Sequence, residues 1–438
     1  MMTKAYPKYK PTGVEWLGDV PEHWEVKRSD GILISERNQM IPDSFRNEDV
    51  FHYSIPAVQE YGTGIIEEGE SIASAKQLIT EMCLLVSKLN PRKATICIAE
   101  PKALKTLCST EFVVLKARKC DLSYLSYFVQ SELFRQELDS KVQSVTRSHQ
   151  RASPEEVYKF WTAWPPFSEQ ETIADFLDHE TESIDALIDK KKNLLSLLAE
   201  QRTALISRAV TKGLNPSVNM KPSGVAWLGD LPEHWEIKKI LFLLHRLQDG
   251  THFSPESDFS GEYLYITAKN IKENGIDLSD ITFVTREAHD EIYKRCPVKK
   301  GDVLYIKDGA TAGIATVNNL EKEFSMLSSV AMLRPRPLAL DSKFLTYHLN
   351  NQAFKKFVLN SLVGGAMTRF TIEIISKFRL ITPPLPEQQA IAAYLDRETA
   401  KIDTLSAKVQ TAIERLREYR TALISAAVTG KIDVREEV

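Results

Sequence analysis

Residues 10–28, KPTGVEWLGDVPEHWEVKR, return at residues 221–239 as KPSGVAWLGDLPEHWEIKK. The two stretches are identical at 14 of 19 positions, at an offset of 211 residues. A second pair, residues 167–214 and 385–432, shares 23 of 48 positions at an offset of 218. Each half of the chain therefore runs through an opening motif, a divergent middle and a closing segment, which indicates tandem duplication of one unit.

The composition is that of a globular protein. A chain of 438 residues, with 43% hydrophobic and 26% charged residues, is too long for one core and predicts two domains. No window approaches about 18 uninterrupted apolar residues, and the first ten residues lack a signal-peptide core. The five cysteines are odd in number and unevenly placed, which favours a reducing, cytoplasmic location. A net charge of −3 directs the search for nucleic-acid contacts to local patches.

The closing segments have the periodicity of long helices. Positions seven apart are apolar at nine of ten places: Leu177, Ile184, Lys191, Leu198, Leu205 and Leu395, Ile402, Val409, Leu416, Leu423. Intermediate positions complete the predicted heptad seam: Ile173, Leu187, Leu194 and Ile391, Leu405, Ala412. Pairs of prolines precede both segments, and Gly213 and Gly430 mark their predicted ends.

The divergent middles predict mixed α/β domains. Short apolar runs bounded by Pro, Gly and Asn read as strands, namely residues 83–88, 111–116, 302–307 and 330–334. Helices are expected near residues 122–138 and 342–359. The middles retain a faint similarity, because Arg151, Glu155, Lys159 and Phe160 fall on Arg369, Glu373, Lys377 and Phe378 at the offset of 218. The shift from 211 to 218 places seven extra residues in the second middle.

Two long helices with short links to their domains can pair antiparallel and relate the domains by an approximate two-fold axis. The seam from Ile173 to Leu205 spans about 48 Å at 1.5 Å per residue, somewhat more than one turn of B-DNA. Antiparallel pairing predicts two equivalent ion pairs, Glu180 with Arg420 and Glu398 with Arg202. Periodicity alone leaves open a plain dimerising or partner-binding scaffold.

The predicted fold class is α+β. It comprises two mixed α/β domains separated by two long helices that form an antiparallel coiled coil, as a pseudo-two-fold tandem repeat. The predicted boundaries are residues 1–165 for the first domain, 166–213 for the central helical spacer, 214–383 for the second domain and 384–438 for the C-terminal helical spacer.

Four motifs in order carry a family resemblance. They are WLGDVPEHWE and WLGDLPEHWE opening the halves, PPFSEQETIADFLDHET and PPLPEQQAIAAYLDRET opening the helices, and TALISRAVTKG and TALISAAVTGK closing them. The chain resembles, over essentially its whole length, the DNA-specificity subunit of type I restriction-modification systems. The resemblance implies that the divergent middles are target-recognition domains, each reading one half of an asymmetric, interrupted DNA sequence. It also implies that the helices set the gap between the halves.

The implied function is sequence-specific DNA recognition without catalysis. The implied partners are double-stranded DNA, two methyltransferase subunits docked on the helices, and the restriction and translocase subunits. S-adenosylmethionine, ATP and magnesium are expected on those partners and no cofactor on this chain. The alternative is a coiled-coil interaction scaffold without DNA sequence specificity.

Catalytic and metal signatures are weak. A Walker-type phosphate loop is absent from the sequence. Residues 164–167, Trp-Pro-Pro-Phe, superficially resemble an amino-methyltransferase motif, but Trp164 replaces the residue that would accept from the target amino group. The repeat at residues 382–385 matches at neither end, so a strand-to-helix turn is the better interpretation. His23 and His234 lie near glutamates but also between tryptophans, which favours a packed structural corner over a metal site.

DNA contact requires cations and hydrogen-bonding groups on exposed loops. Residues 88–119 contain eight Lys or Arg against two Glu, although a solvated surface is the common meaning of such a run. Lys307 aligns with Lys88, and the Gly309 and Gly313 turn either approaches phosphate or forms a structural hairpin. The candidate DNA-binding residues are Lys88, Arg92, Lys93, Arg147, Gln150, Arg151, Lys269, Lys307, Thr368 and Arg369. Arg can pair with guanine and Gln with adenine in the major groove. Arg151 and Arg369 coincide between the copies and suit phosphate positioning or packing better than base readout.

The candidate coiled-coil and partner-binding residues follow the predicted seam. They are Leu177, Glu180, Ile184, Leu187, Leu198, Arg202 and Leu205 in the first helix, and Leu395, Glu398, Ile402, Leu405, Leu416, Arg420 and Leu423 in the second.

Overall fold

The computed structural model describes residues 4–142, 150–225, 227–360 and 369–436. The chain forms two compact units, and neither break between them lies at a predicted domain boundary. Unit 1 comprises residues 1–192 and 410–438, and unit 2 comprises residues 193–409. Among the described residues, none of the helices combines the length and the apolar character needed to cross a membrane.

Unit 1 is built from short strands and helices that precede a long helix. The strands are β1 (Tyr9–Pro11), β2 (Asp19–Pro21), β3 (Glu25–Arg28), β4 (Leu33–Ser35), β5 (Gln39–Met40), β6 (Asp49–Tyr53), β7 (Ile65–Glu68), β8 (Lys76–Leu78), β9 (Cys83–Ser87), β10 (Ile96–Ala99), β11 (Lys105–Ser109), β12 (Phe112–Ala117) and β13 (Trp161–Trp164). The helices are α1 (Ile55–Tyr61), α2 (Leu122–Gln130), α3 (Glu132–Ser140), α4 (Pro154–Tyr158), the first part of α5 (Phe167–Lys212) and the last part of α11 (Leu385–Val428).

Two sheets form the body of unit 1. One is antiparallel in the order β10-β9-β12-β4, and the other has the order β5-β8-β11-β6-β7 with β11 parallel to β6. Strand β9 (CLLVS) is buried along its whole length, as its uninterrupted apolar run predicts for a central strand. Strand β13 returns to pair with β3, which ties the end of the domain to its opening motif.

Unit 2 repeats this design. Its strands are β14 (Met220–Pro222), β15 (Asp230–Pro232), β16 (Glu236–Lys239), β17 (Leu244–Asp249), β18 (Tyr263–Ile266), β19 (Ile271–Lys272), β20 (Gly275–Ile276), β21 (Thr282–Val284), β22 (Val303–Ile306), β23 (Ala315–Val317), β24 (Ser325–Met326), β25 (Val330–Pro335) and β26 (Arg379–Thr382). Its helices are α6 (Ile240–Leu243), α7 (Arg286–Arg295), α8 (Ser342–Asn350), α9 (Gln352–Asn360), α10 (Ile372–Ser376), the remainder of α5 and the first part of α11 (Leu385–Val428).

The main sheet of unit 2 has the order β23-β22-β25-β17 and is antiparallel throughout. This order matches β10-β9-β12-β4 strand for strand. The second sheet, β21-β18-β24, keeps the parallel pair that β6 and β11 form in unit 1. The short hairpin of β19 and β20 is an addition of unit 2. The two middles therefore share one topology despite their faint sequence similarity.

The predicted elements are confirmed where the sequence pattern was strongest. Strands β9, β12, β22 and β25 occupy the four predicted runs to within about two residues. Each predicted helical stretch in the middles is a pair of helices, because Ser131 and Asn351 interrupt it. Helix α5 ends at Lys212, and Gly213 follows with φ +77°. Helix α11 ends at Val428, and Gly430 has φ +69°.

The repeated PEHWE motif forms the predicted packed corner in both units. In unit 1, Trp24 is fully buried and donates through Nε1 to Glu169 Oε1 at 2.9 Å, while His23 Nε2 lies 2.7 Å from Oε2. Tyr6 also donates to Oε1 at 2.7 Å, and its burial and the carboxylate raise the pKa of Tyr6. The first turn of α5 is thereby anchored to the opening motif, at the end of the helix that favours an anion.

Unit 2 builds the same corner with one hydrogen bond fewer. Trp235 Nε1 donates to Glu387 Oε2 at 3.0 Å, and His234 Nε2 lies 2.8 Å from the same oxygen. The Glu387 side chain is 29% exposed, compared with 6% for Glu169. In each unit, one carboxylate thus joins the first turn of a long helix to the PEHWE motif.

Within each unit a segment of α5 runs antiparallel to a segment of α11, as the contacts of the two helices show. In unit 1, Asp185 Oδ1 lies 3.1 Å from Arg420 Nε, and Lys192 lies near Arg417. In unit 2, Arg202 Nε lies 3.0 Å from Asp403 Oδ1, and Ile206 lies near Thr399. The antiparallel pairing predicted from the heptads is therefore confirmed.

The predicted ion pairs of Glu180 with Arg420 and of Glu398 with Arg202 are wrong. The arginines pair with Asp185 and Asp403 instead. Glu180 lies 3.4 Å from the neighbouring His179, and Glu398 contacts Arg397 and Lys401 on its own helix.

The buried face of the helices explains this error. In the structure, the buried face contains the residues four positions after Leu177 and Ile184, namely Thr181 and Ile188. The prediction had used the residues three positions after them, Glu180 and Leu187. Thr181 and Ile188 are 4% and 5% exposed, but Leu187 is 43% exposed. Because Thr181 is polar, the sequence pattern does not indicate that this face is buried. The Thr181 hydroxyl lies 3.1 Å from the Tyr127 hydroxyl of α2.

Candidate DNA-recognition surface

Equivalent strands, β9 and β22, lead in each unit to a lysine and then to a loop. Lys88 follows β9 and Lys307 follows β22. The next residue bridges antiparallel to a distant segment, Leu89 to Arg151 in unit 1 and Asp308 to Arg369 in unit 2. The structure therefore brings together, in each unit, residues that the sequence analysis had singled out at two separate places.

Loop 1 is the segment Asn90–Ala94 of unit 1, sequence NPRKA. Its Asn90 and Ala94 have φ of +50° and +44°, a left-handed conformation that costs non-glycine residues about 1–2 kcal/mol. The short 3-10 turn between them carries Arg92 and Lys93 on its exposed side. Asn90 N donates to Gln150 O at 2.8 Å, so partly buried Gln150 supports this loop through its backbone.

Arg92 and Lys93 differ in how they are held. Arg92 Nε donates to Asp139 Oδ2 at 2.8 Å, although the Arg92 side chain remains 73% exposed. The Lys93 side chain is exposed and has no ion-pair or hydrogen-bond partner within the part of the chain that the structure describes. Loop 1 thus presents a guanidinium oriented by a carboxylate and an exposed ammonium without a partner among the described residues.

Much of the remaining basic run pairs with acidic side chains of unit 1, from inside and outside the run. Lys102 pairs with Glu100, Lys105 with Glu48, and Lys116 with both Glu36 and Glu81. Lys88 Nζ donates to the Thr110 carbonyl at 2.9 Å. Arg151 is 56% exposed and pairs with Glu111 at 3.0 Å. The excess of cations along the sequence therefore does not form one continuous basic surface.

Loop 2 is the segment Gly309–Gly313 of unit 2, sequence GATAG. Gly309 and Gly313 have φ of +98° and +97° and occupy the places of Asn90 and Ala94 at an offset of 219. Between them, Ala310 and Thr311 are exposed. Loop 2 therefore carries small side chains where loop 1 carries two cations.

Lys307 is not part of an exposed surface. Its side chain is 2% exposed, and Nζ lies 2.7 Å from Asp308 and 3.7 Å from Asp249. Because a buried, paired ammonium is costly to extract, we leave Lys307 out of the DNA-contacting set proposed below. Arg369 is 63% exposed and lies 3.5 Å from Asp308, as Arg151 lies beside Glu111 in unit 1.

The other candidates lie outside these two loops. Lys269 is exposed and pairs with Asp280 at 3.0 Å, in the 3-10 turn Ala268–Asn270 that follows β18 of unit 2. Arg147 and Thr368, two of the candidates for polar contacts to DNA, lie outside the described residues. Their DNA contacts, like those of the other candidates, remain predictions.

Sequence reasoning missed the shared shape of the two loops. The alignment of Lys88 with Lys307 already placed Asn90 on Gly309 and Ala94 on Gly313. A glycine is the usual signal for positive φ, and loop 1 contains none. Asp139, Glu111 and Asp249 were also missed as partners of the cations, because each is distant in sequence from the residue it pairs with.

The predicted helix residues separate into buried and exposed sets. Leu177, Ile184, Leu198, Leu395 and Leu423 are buried, and Leu205, Ile402 and Leu416 are partly buried. Leu187 and Leu405 were predicted to lie in the seam, but they are 43% and 45% exposed. These two residues are equivalent at the offset of 218, so both long helices expose a leucine at the same position.

The described residues hold no group of three or more His, Cys, Asp or Glu side chains arranged to bind a metal ion. All five cysteines are free and buried, and burial raises the pKa of Cys97 to about 11. Trp164 ends β13 and Phe167 begins α5, so residues 164–167 form the strand-to-helix turn favoured from the sequence.

Comparison with known proteins agrees with this architecture. Residues 232–415 match the family model described as the type I restriction modification DNA specificity domain. The chain is 22% identical over 421 residues to the type I restriction enzyme MjaVIII specificity subunit of Methanocaldococcus jannaschii, covering 95% of this chain and 94% of that protein.

Two solved structures have a similar fold. One belongs to work on complex assembly and conformational transition of the type I R-M system; it has a TM-score of 0.74 and 18% identity and covers 93% of this chain and 98% of that one. The other is the HsdS subunit from Thermoanaerobacter tengcongensis, with a TM-score of 0.56, 18% identity and coverage of 94% and 98%. Residues 232–415 thus match a type I restriction modification DNA specificity domain, and the chain is similar over almost its whole length to type I restriction enzyme specificity subunits.

Proposed function

We propose that this chain is the sequence-reading subunit of a type I restriction-modification complex, with each unit binding one half of a two-part, asymmetric DNA sequence. The supporting observation is a repeated framework with different surface chemistry. Equivalent sheets carry loop 1 with Arg92 and Lys93, and loop 2 with Ala310 and Thr311. Different side chains on one framework suit the recognition of two different half-sites.

The long helices support a second part of the proposal, the docking of two methyltransferase subunits. Several large apolar side chains of these helices lie in solvent: Leu187 43%, Leu194 39%, Leu197 60%, Leu405 45% and Tyr419 51% exposed. Exposed apolar side chains on an amphipathic helix favour packing against another helix. We assign these side chains to the contacts with the methyltransferase subunits.

In this proposal the chemistry belongs to the partners. Methyl transfer from S-adenosylmethionine to adenine takes place on the methyltransferase subunits, and ATP hydrolysis with magnesium takes place on the restriction and translocase subunits. The specificity chain positions them on DNA. Methylation by the purified chain without partners would contradict this division.

The deciding experiment is co-expression with the methyltransferase subunit in a host that lacks adenine methylation, followed by long-read mapping of methylated adenines. We expect one two-part motif with a constant gap. Stable complex formation without methylation would instead favour a coiled-coil scaffold that lacks DNA sequence specificity. A scaffold would also give salt-sensitive DNA binding that ignores sequence.

Partner docking has its own test. Replacing both equivalent leucines, Leu187→Glu and Leu405→Glu, is expected to abolish co-purification of the methyltransferase while leaving the melting temperature of the chain unchanged. The matched control is the double variant Ser183→Glu and Thr411→Glu, which adds the same two charges at other exposed positions of α5 and α11. Retained co-purification in the double variant would place the docking surface elsewhere.

A further inference from the structure

Loops 1 and 2 share a conformation that their sequences do not share. NPRKA and GATAG are identical at no position, yet both begin and end with a residue of positive φ. Among the described residues, Asn90 and Ala94 are the non-glycine residues with positive φ. Alanine has no polar side chain to stabilise a left-handed conformation, so its presence there shows that the surrounding structure imposes the loop shape.

Two equivalent backbone hydrogen bonds support this shape in both units, although Ala94 N donates to Pro91 O and the equivalent Gly313 N donates to Ile306 O. Lys93 N donates to Asn90 O at 2.9 Å, and the equivalent Ala312 N donates to Gly309 O at 3.1 Å. At the base, Ser87 N donates to Thr95 O at 2.9 Å, and Ile306 N donates to Ile314 O at 2.8 Å. Each loop joins two neighbouring strands of the main sheet and lies next to the bridge made by Arg151 or Arg369.

The side chains on this common backbone have opposite character. Arg92 is oriented by Asp139 and still 73% exposed, and Lys93 is exposed beside it. In loop 2 the exposed residues are Ala310 and Thr311, and a Cβ on Gly309 would meet no atom within 4 Å. A loop with long cations suits phosphate contacts, while a loop with small side chains allows its backbone to come close to base edges.

We propose that loops 1 and 2 are the equivalent DNA-contacting elements of the two units, and that they contact DNA in different ways. Loop 1 binds DNA phosphates through Lys93 and the oriented Arg92. Loop 2 approaches the other half-site closely and contacts it through the Thr311 hydroxyl and the loop backbone. This inference rests on the proposed function and names the residues through which each unit meets DNA.

The first test measures how salt weakens binding. The probe is a duplex containing the mapped methylation motif, and the protein is the complete chain with its methyltransferase subunits. Lys93→Ala is expected to reduce the slope of log affinity against log salt by about 1, because one phosphate contact is lost. Lys119→Ala is the matched control. Lys119 is an exposed cation that follows the C-terminal end of β12, whereas the N-terminal end of β12 is the one that pairs next to loop 1. An equal slope change in both variants would overturn the role of loop 1.

The second test exchanges the loop chemistry without changing its shape. Replacing NPRKA by GATAG at residues 90–94 places glycine at both positions of positive φ, so the chain is expected to fold with an unchanged melting temperature. The half-site bound by unit 1 should then keep its sequence but be methylated more weakly, because phosphate contacts position the protein without reading bases. Thr311→Val, which removes one hydroxyl at nearly constant volume, should alter only the opposite half.

The outcomes separate the two proposals. If the unaltered chain directs no motif at all, the proposed function fails. If the unaltered chain directs a motif and both loop variants direct the same motif at the same strength, this inference fails while the proposed function stands.

Discussion

Unit 2 buries His348 at the place where unit 1 buries Phe128, seven positions after the aspartate that caps the helix in each case. Unit 1 sets Lys116 between Glu36 and Glu81, whereas the equivalent Arg334 of unit 2 makes a two-pronged pair with Asp302. Equivalent positions of the duplicated framework thus carry different side chains, and the polar ones among them have hydrogen-bond or ion-pair partners. The effects of removing those partners should differ between the units in a calculable way.

The largest expected difference concerns the buried ion pair of unit 2. Asp302 is 3% exposed and holds Arg334 at 2.7 Å, so Asp302→Ala should lower the free energy of unfolding by about 3–5 kcal/mol. Glu81 is 61% exposed and shares Lys116 with Glu36, so Glu81→Ala should cost less than about 1 kcal/mol. Hydrogen exchange of β22 and β9 in the complete chain measures each unit separately. Equal losses of protection would show that the units respond alike.

The second difference is sensitivity to acid. Burial lowers the pKa of His348 to about 4, from an ordinary value of 6.5, and its Nε2 accepts from Ile381 N at 3.3 Å. Between these two pH values the unfolded chain binds more protons than the folded chain, so unit 2 loses stability as pH falls through that window. The loss should approach about 3 kcal/mol near pH 4.

The variant His348→Phe copies the residue of unit 1 and should remove this pH dependence. It leaves Ile381 N unpaired, at a constant cost of about 1–2 kcal/mol at all pH values. Urea unfolding at pH 7 and pH 4.5, followed by hydrogen exchange in α8, measures both effects. An unchanged pH dependence in the variant would exclude His348 as its source.

The third difference lies in the two packed corners formed by the PEHWE motifs around Glu169 and Glu387. Glu169 is almost fully buried with three hydrogen-bonding partners, and Glu387 is more exposed with two. Glu169→Gln should therefore cost about 2 kcal/mol and Glu387→Gln about 1 kcal/mol. Thermal unfolding compares the two variants. A larger effect of Glu387→Gln would contradict the difference in burial.

The smallest effect is expected at the ion pairs of the helices. A double-mutant cycle of Asp185→Arg with Arg420→Asp should give a coupling of about 0.5 kcal/mol, because both side chains are partly exposed. Glu180→Arg is the control and should show no coupling with Arg420→Asp. Coupling to Glu180 in place of Asp185 would restore the register predicted from the heptads.

Sequence patterns revealed the long helices and the central strands because their periodicity is local. They did not reveal which of two nearby helix faces is buried, since Thr181 is polar and its partner Tyr127 lies on another helix. The basic run illustrates the same limit. Its charges are visible in the sequence, but Glu48, Glu81 and Asp139 reach them only in the folded chain.

Unit 1 also contains both ends of the described chain. Lys4 bridges to Asp433, and Tyr9 donates to the Gly430 carbonyl at 3.1 Å. A Cβ on Gly430 would lie 2.3 Å from Pro21, which explains the need for glycine after α11. The domain boundaries predicted from the repeats give no indication that the N-terminal and C-terminal segments contact each other in unit 1.

Repeats, heptads and turn residues are local patterns along the chain, so they were enough to predict the duplication, the two long helices with their ends and the family resemblance. Only the tertiary structure decided the helix register, the closure of unit 1, the partners of the cations and the common shape of loops 1 and 2. Those properties depend on contacts between residues far apart in sequence. In these contacts a carboxylate pairs with a cation, or one buried hydroxyl lies within hydrogen-bond distance of another.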